Sequence, residues 1–169
     1  MNQAQANQKS RDGQQWYERG NNSKLALKKW AKSSLWNFEN KWYLLEAEES
    51  YCKNDFEAAK SYYEKAVSSA KDHKFVRDEA LTCELAAYFY LEVGNNEKSK
   101  QYFLLAHEKY HEWGALGKCN SLFKFVESTF TPASTDVGVG VGHTDTTGNR
   151  NMQRLLAGKK WHCQLHTKH

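Results

Sequence analysis

Between residues 22 and 130 the apolar positions recur at spacings of three, four and seven, the period of helices buried along one side. No proline interrupts that stretch, because the single one, Pro132, lies beyond it. The pattern predicts almost continuous helix with short joints. A first helix is expected over Ser23 to Lys32 with Ser23 as N-cap, and a second over Phe38 to Lys53, ended by a turn at Asn54 and Asp55. In the third, Phe56, Ala59, Tyr63, Ala66, Val67 and Ala70 share one face, with Asp55 as its cap. The fourth, VRDEALTCELAAYFYLEV, is apolar around most of its circumference, and Gly94 suits the left-handed position after its last turn. A fifth helix carries Ser99, Phe103, Ala106, Tyr110 and Trp113 and closes at Gly114. A sixth, with Leu116, Cys119, Leu122, Phe123 and Val126, is expected to cover the open end of the array.

Residues 45 to 106 also nearly repeat themselves at a period of forty. Leu45 returns as Leu85, Ala47 as Ala87, Glu57 as Glu97, Lys60 as Lys100, Tyr62 as Tyr102, Ala66 as Ala106, and Tyr63 as the aromatic Phe103. Such a period marks stacked supersecondary units, each a helical hairpin too small to bury its own apolar face. Within each unit a small residue on the first helix is followed by Asn or Gly at the joint, then by small, aromatic and small residues on the second. These are Ala47, Asn54, Ala59, Tyr63 and Ala66, then Ala87, Gly94, Ser99, Phe103 and Ala106. Small residues let the helices approach closely, and the aromatic fills the space between hairpins. The pattern resembles tetratricopeptide (TPR) repeats, although forty exceeds their usual period of about thirty-four, the final proline is missing, and Ser99 stands where Ala is usual. The expected fold is therefore all-α, a short TPR-like α-solenoid of antiparallel helical hairpins with a capping helix and disordered tails.

Composition draws the boundaries. Residues 1–21 are expected to be a disordered N-terminal segment, 22–130 the repeat domain, and 131–169 a flexible Gly/Thr-rich linker with a basic tail. Residues 1–33 hold seven Lys/Arg against two Asp/Glu, residues 34–130 twelve against sixteen, and residues 131–169 five against two. An acidic body thus lies between basic ends, a poor signature for a nucleic-acid-binding fold, and nucleic acid is not the expected partner. No run of eighteen apolar residues is long enough to span a bilayer, and the polar start MNQAQANQKSRDGQQ lacks the apolar stretch of a secretory signal, so the reading is cytoplasmic, with no membrane partner. The four cysteines at 52, 83, 119 and 163 are far apart and lie mostly in apolar helical patterns, which predicts reduced, structural thiols.

A second resemblance covers about three-fifths of the chain. The runs NKWYLLEAEE, NDFEAAKSYYEKAVSSAKDHKFVRDEALTCELAAYFYLEVGN and KQYFLLAHEKYHEWGALGK are similar to the helical segment that follows the AAA-type ATPase module in large predicted ATPase, serine-threonine kinase and sensor histidine kinase proteins. Its most specific parts are Tyr110-x-x-Trp113-Gly114-Ala115 and DEALTCELAAYFYLE. None of that family's catalytic motifs is present, neither a GxxxxGK[ST] loop nor a kinase signature. The resemblance implies a detached scaffold from a signalling ATPase or kinase, with neighbouring ATPase or kinase domains as candidate partners.

In a stack of hairpins the first helix of each pair lines the concave side. Helical phase there leaves Leu44, Glu48 and Tyr51, then Glu84, Tyr88 and Leu91, facing a groove edged by Lys41 and Glu92. Aromatic and net negative, that set suits a protein or peptide with basic and apolar side chains. His162, Cys163, His166 and His169 have spacings that can share a helix face and are weak metal candidates, since a terminal cluster without further ligands seldom closes a structural site. No cofactor is implied, and no nucleophile, base and orienting group are marked as converging, so a non-catalytic role is expected. Trp30, Trp36, Trp42 and Trp113 are read as core packing rather than stacking platforms. The function expected is a protein-interaction or interdomain scaffold; the alternatives are the regulatory arm of an ATPase or kinase whose catalytic domains lie elsewhere, and an RNA-binding helical repeat.

Overall fold

The structure, a computed structural model, describes residues 3–130, which are all-α in a helical-repeat arrangement. The helices are α1 (Gln3–Ser33), α2 (Leu35–Cys52), α3 (Phe56–Asp72), α4 (Val76–Glu92), α5 (Asn96–Glu112) and α6 (Leu116–Phe130). They fall into two compact units, one ending at Lys74 and one beginning at Phe75. In the first, α2 packs on α1 and α3; in the second, α5 packs on α4 and α6. The linker and basic tail expected over 131–169 lie outside the described residues.

The repeat is more regular in the backbone than in the side chains. From α3 onward helices start at 56, 76, 96 and 116, so each helix with its three-residue turn occupies one frame of twenty residues. The middle residue of every turn is left-handed: Asn54 (φ 60°), Lys74 (φ 63°), Gly94 (φ 82°) and Gly114 (φ 85°). That conformation lets the next amide turn back on the helix just ended. Asp55 N–H reaches the Ser50 carbonyl at 2.9 Å, Asn95 that of Tyr90 at 2.8 Å, and Ala115 that of Tyr110 at 2.8 Å. Glycine and asparagine tolerate the geometry; lysine does so at a cost. The helices after two of these turns are also capped alike, Asp55 accepting from Ala58 N–H and Asn95 from Lys98 N–H, each at 3.1 Å.

The small and aromatic repeat positions build the core as expected. Ala47, Ala59, Ala66, Ala87, Ser99, Ala106, Tyr63 and Phe103 are all fully buried. Ser99 replaces the usual alanine without harm, because its hydroxyl donates to the Ala87 carbonyl at 2.8 Å. Phe103 lies among Tyr88, Phe125 and Phe130, with ring centroids at 5.0, 5.1 and 6.2 Å, so it joins α6 to the α4–α5 hairpin. α6 also bears the marks of a cap. Asn120 and Glu127 are exposed where α4, forty residues earlier, buries Ala80 and Ala87.

One boundary is corrected. The N-terminal segment expected to be disordered is helical from residue 3, and Ser23, expected as an N-cap, lies inside α1. Good helix formers outweigh the cost of Gly13 and Gly20, about 1 kcal/mol each. Local pairs add support: Gln14 donates to Glu18 at 3.2 Å, and the Arg19 guanidinium lies 5.4 Å from the Trp16 ring centroid.

Candidate functional site

Leu44, Glu48 and Tyr51 belong to α2 in the first unit. Glu48 accepts a 2.5 Å hydrogen bond from the Tyr63 hydroxyl, so this carboxylate ties α2 to α3. Burial, then the Glu48 charge, then that hydrogen bond push the Tyr63 hydroxyl far above the usual tyrosine range. Tyr51 is buried, with its ring 6.4 Å from that of Phe56, and Leu44 is half-buried. Glu39 holds a second link to α3, accepting from Ser69 at 3.0 Å and from Tyr43 at 3.1 Å. On the α1 side Lys24 pairs with Glu49 and, at 3.5 Å, with Glu46. Burial opposes both charges of the Lys24–Glu49 pair, yet hydrogen bonding and attraction outweigh it, holding Lys24 above its usual value and Glu49, which Lys53 also contacts, below its own.

Glu84, Tyr88, Leu91 and Glu92 belong to α4 in the second unit. Here the expectation for Glu84 is overturned: only 5% of the residue is exposed. Its carboxylate accepts from the Tyr110 hydroxyl at 2.7 Å and pairs with Lys118 of α6 at 2.8 Å, while the Lys118 ammonium lies 5.7 Å from the Tyr110 ring centroid. A carboxylate that helical phase alone assigns to a concave surface is thus an internal joint of three helices. Burial, and then Glu84, push the Tyr110 hydroxyl well above its usual range. Tyr88 is half-buried, packed edge-on to Phe103 and tilted 57° against Phe125, and its hydroxyl is pushed up to about 12 by burial and by Glu84. Leu91 is half-buried and Glu92 exposed. The positions expected to grip a partner therefore divide: Tyr51 and Glu84 are interior, Glu48 and Tyr88 bind neighbouring helices, and Leu44, Leu91 and Glu92 keep accessible surface.

Other expectations meet the structure unevenly. Cys83 and Cys119 are buried free thiols, Cys83 pushed up to about 12 by burial and the Glu79 charge. Cys52 is half-buried in the last turn of α2. Trp30, Trp36 and Trp113 are 50%, 60% and 52% exposed and Trp42 half-buried, so the core placement expected for these residues does not hold. Their recurrence among helical positions concealed that the buried stripes of α2, α3 and α5 are built from alanine, tyrosine and phenylalanine together with Asn40, Ser69 and Ser99. The candidates His162, Cys163, His166 and His169 lie outside the described residues, and among the described residues no cluster of His, Cys, Asp and Glu could hold a metal ion. No described helix is long and apolar enough to cross a membrane.

Comparison of the chain with protein-family models, with curated proteins and with solved structures gives no match.

Proposed function

We propose that the chain is a non-catalytic scaffold module that docks a protein partner or a neighbouring domain, in the manner of the interdomain helical segments of signalling ATPase- and kinase-type proteins. The observation that supports this reading most is the twenty-residue frame, in which four turns share a left-handed middle residue and the buried carboxylate–phenol pairs hold helices together. Regular hairpins of this kind present rigid flanks, and repeat proteins use such flanks for recognition. On α4 the accessible Leu91 and Glu92 offer an apolar contact beside a negative charge, which favours a partner with apolar and basic side chains.

The test is selection of a displayed peptide library on the immobilised chain, followed by calorimetry of the enriched sequences. Enrichment of basic and apolar segments, bound less tightly after Glu92→Lys or Leu91→Ala with helicity unchanged, supports the scaffold reading. Absence of enrichment, or binding indifferent to both substitutions, removes it.

A further inference from the structure

In the first unit the first turn of α2 forms a corner on which both the last turn of α1 and the end of α3 pack. Trp30 packs on Phe38 with centroids 5.5 Å apart, and Trp36 packs on His73 at 4.3 Å with the rings inclined by 36°. Neither indole is enclosed by these contacts, since at least half of each residue remains exposed, and Leu35 between them is 57% exposed. Lys29 and Lys32 lie within two residues of Trp30 on α1, and Lys71 and Lys74 within two residues of His73, on which Trp36 packs; all four are exposed. The corner's acidic groups are already engaged, Glu39 accepting from Ser69 and Tyr43, and Asp72 from Ser68 at 3.4 Å. Open aromatic faces thus stand among lysines in a chain whose central part is otherwise acidic.

Lys74 supplies an independent sign. It occupies the left-handed position of its turn, at φ 63°, where the corresponding turns use Asn54, Gly94 and Gly114. Closing the turn does not call for lysine, because Gly114 closes the equivalent turn forty residues later. A long cationic side chain kept in a conformation that disfavours it points to a use for the charge.

We infer that this corner binds single-stranded nucleic acid, with Trp30 and Trp36 as platforms for bases and Lys29, Lys32, Lys71 and Lys74 neutralising phosphates. Bases and phosphates together use both features of the corner, whereas an acidic peptide would use the lysines and leave the indole faces idle. The contact is sequence-tolerant, because every base has a face to stack. The inference is independent of the scaffold reading, which places its partner surface at Leu91 and Glu92 of the second unit.

The experiment is fluorescence anisotropy of labelled dT12 and rU12 with the full chain, over a range of salt, with polyglutamate as competitor. Saturable binding is expected, its affinity falling with salt at a log–log slope of about −2 to −3 for three or four phosphate contacts. Trp36→Ala is expected to weaken it by about tenfold or more, the equivalent of one lost stacking contact, while Trp36→Phe retains most of it. Lys74→Gly is expected to raise the melting temperature and yet weaken binding, a combination that a merely structural lysine would not produce. Circular dichroism verifies each fold. Failure of either oligonucleotide to bind at 50 mM salt overturns the inference. So does binding that polyglutamate displaces equally well and that Trp36→Ala leaves unchanged, which would mark the corner as a general anion or acidic-peptide surface.

Discussion

In the first unit Glu48 and Tyr63 form a 2.5 Å hydrogen bond; forty residues on, the same two positions hold Tyr88 and Phe103, whose rings meet edge-on at 5.0 Å. A neighbouring pair of positions changes in the opposite sense. Leu44 and Ala70 of the first unit correspond to Glu84 and Tyr110 of the second, which hydrogen-bond at 2.7 Å. Each unit therefore has a carboxylate–phenol pair joining its hairpin, but at different places along the corresponding helices. The turn geometry and the small residues at 47/87, 59/99 and 66/106 are kept, while the polar pair is displaced with both partners changing together. That follows from energetics: a buried phenol without its acceptor costs about 1–3 kcal/mol, whereas replacing both partners by packed apolar groups is close to neutral.

The largest expected effect is at the apolar version of the pair. Phe103→Ala removes a fully buried ring that touches α4 and α6 and should cost about 3–5 kcal/mol, read from a denaturant titration. A nearly neutral result would mean that the second unit does not depend on the aromatic joint. Next in size is Glu84→Ala, which strands the Tyr110 hydroxyl in the interior and should cost about 1–3 kcal/mol. Adding Tyr110→Phe should restore part of the loss; simple additivity would show that the two groups do not act as a pair. Glu84→Lys, in contrast to what an exposed groove residue would allow, should destabilise the second unit outright, because it buries a cation beside Lys118.

The comparison can be sharpened by transplanting one solution into the other unit. Glu48→Tyr with Tyr63→Phe gives the first unit the second unit's pair, and a double-mutant cycle should show a favourable coupling of about 0.5–3 kcal/mol. A coupling of zero would mean that the two positions vary independently. Alkaline titration separates the versions further. Burial, reinforced by Glu48 and Glu84, raises the folded-state values of Tyr63 and Tyr110 above the usual 10.0. Groups so raised contribute stability that is fully present below the unfolded value and lost as pH climbs toward the folded one. Melting temperature should therefore fall above about pH 10, and Tyr63→Phe or Tyr110→Phe should flatten that fall. The smallest effect is at the turns. Asn54→Gly should change stability by only a few tenths of a kcal/mol, because asparagine already tolerates the left-handed position.

Much of this fold is legible in the sequence because its determinants are local. Asp55 as a cap, Gly94 and Gly114 at their turns, and the buried Ala47, Ala59, Ala66, Ala87 and Ala106 all follow from spacing and residue type. The candidate surface is far less legible. Helical phase indicates which way a Cβ points, but Glu84 became interior because Tyr110 and Lys118 reach it from two other helices. A signal was available within the chain: where Leu44 gives way to Glu84, Ala70 gives way to Tyr110, so a carboxylate and a phenol arrive together. Lys74 was hidden for another reason, since nothing in a lysine announces a left-handed turn until the spacing to Asn54, Gly94 and Gly114 is counted. The tryptophans mislead because their size suggests burial, while these hairpins approach so closely that alanine fills much of the seam.

Because each of α3, α4 and α5 spans twenty residues with its turn, this part of the chain can change its length only in certain steps. A copy of residues 56–95 inserted after Asn95 would meet a finished turn at one seam and a helix start at the other, preserving the alternation of first and second helices. A copy of a single frame would invert that alternation and set a face built for one neighbour against another. A deletion inside a turn would shift the left-handed residue and misdirect every helix beyond it. Duplication by forty is thus the step along which such a sequence can grow without redesign, and variation in copy number is expected to be better tolerated than variation in loop length.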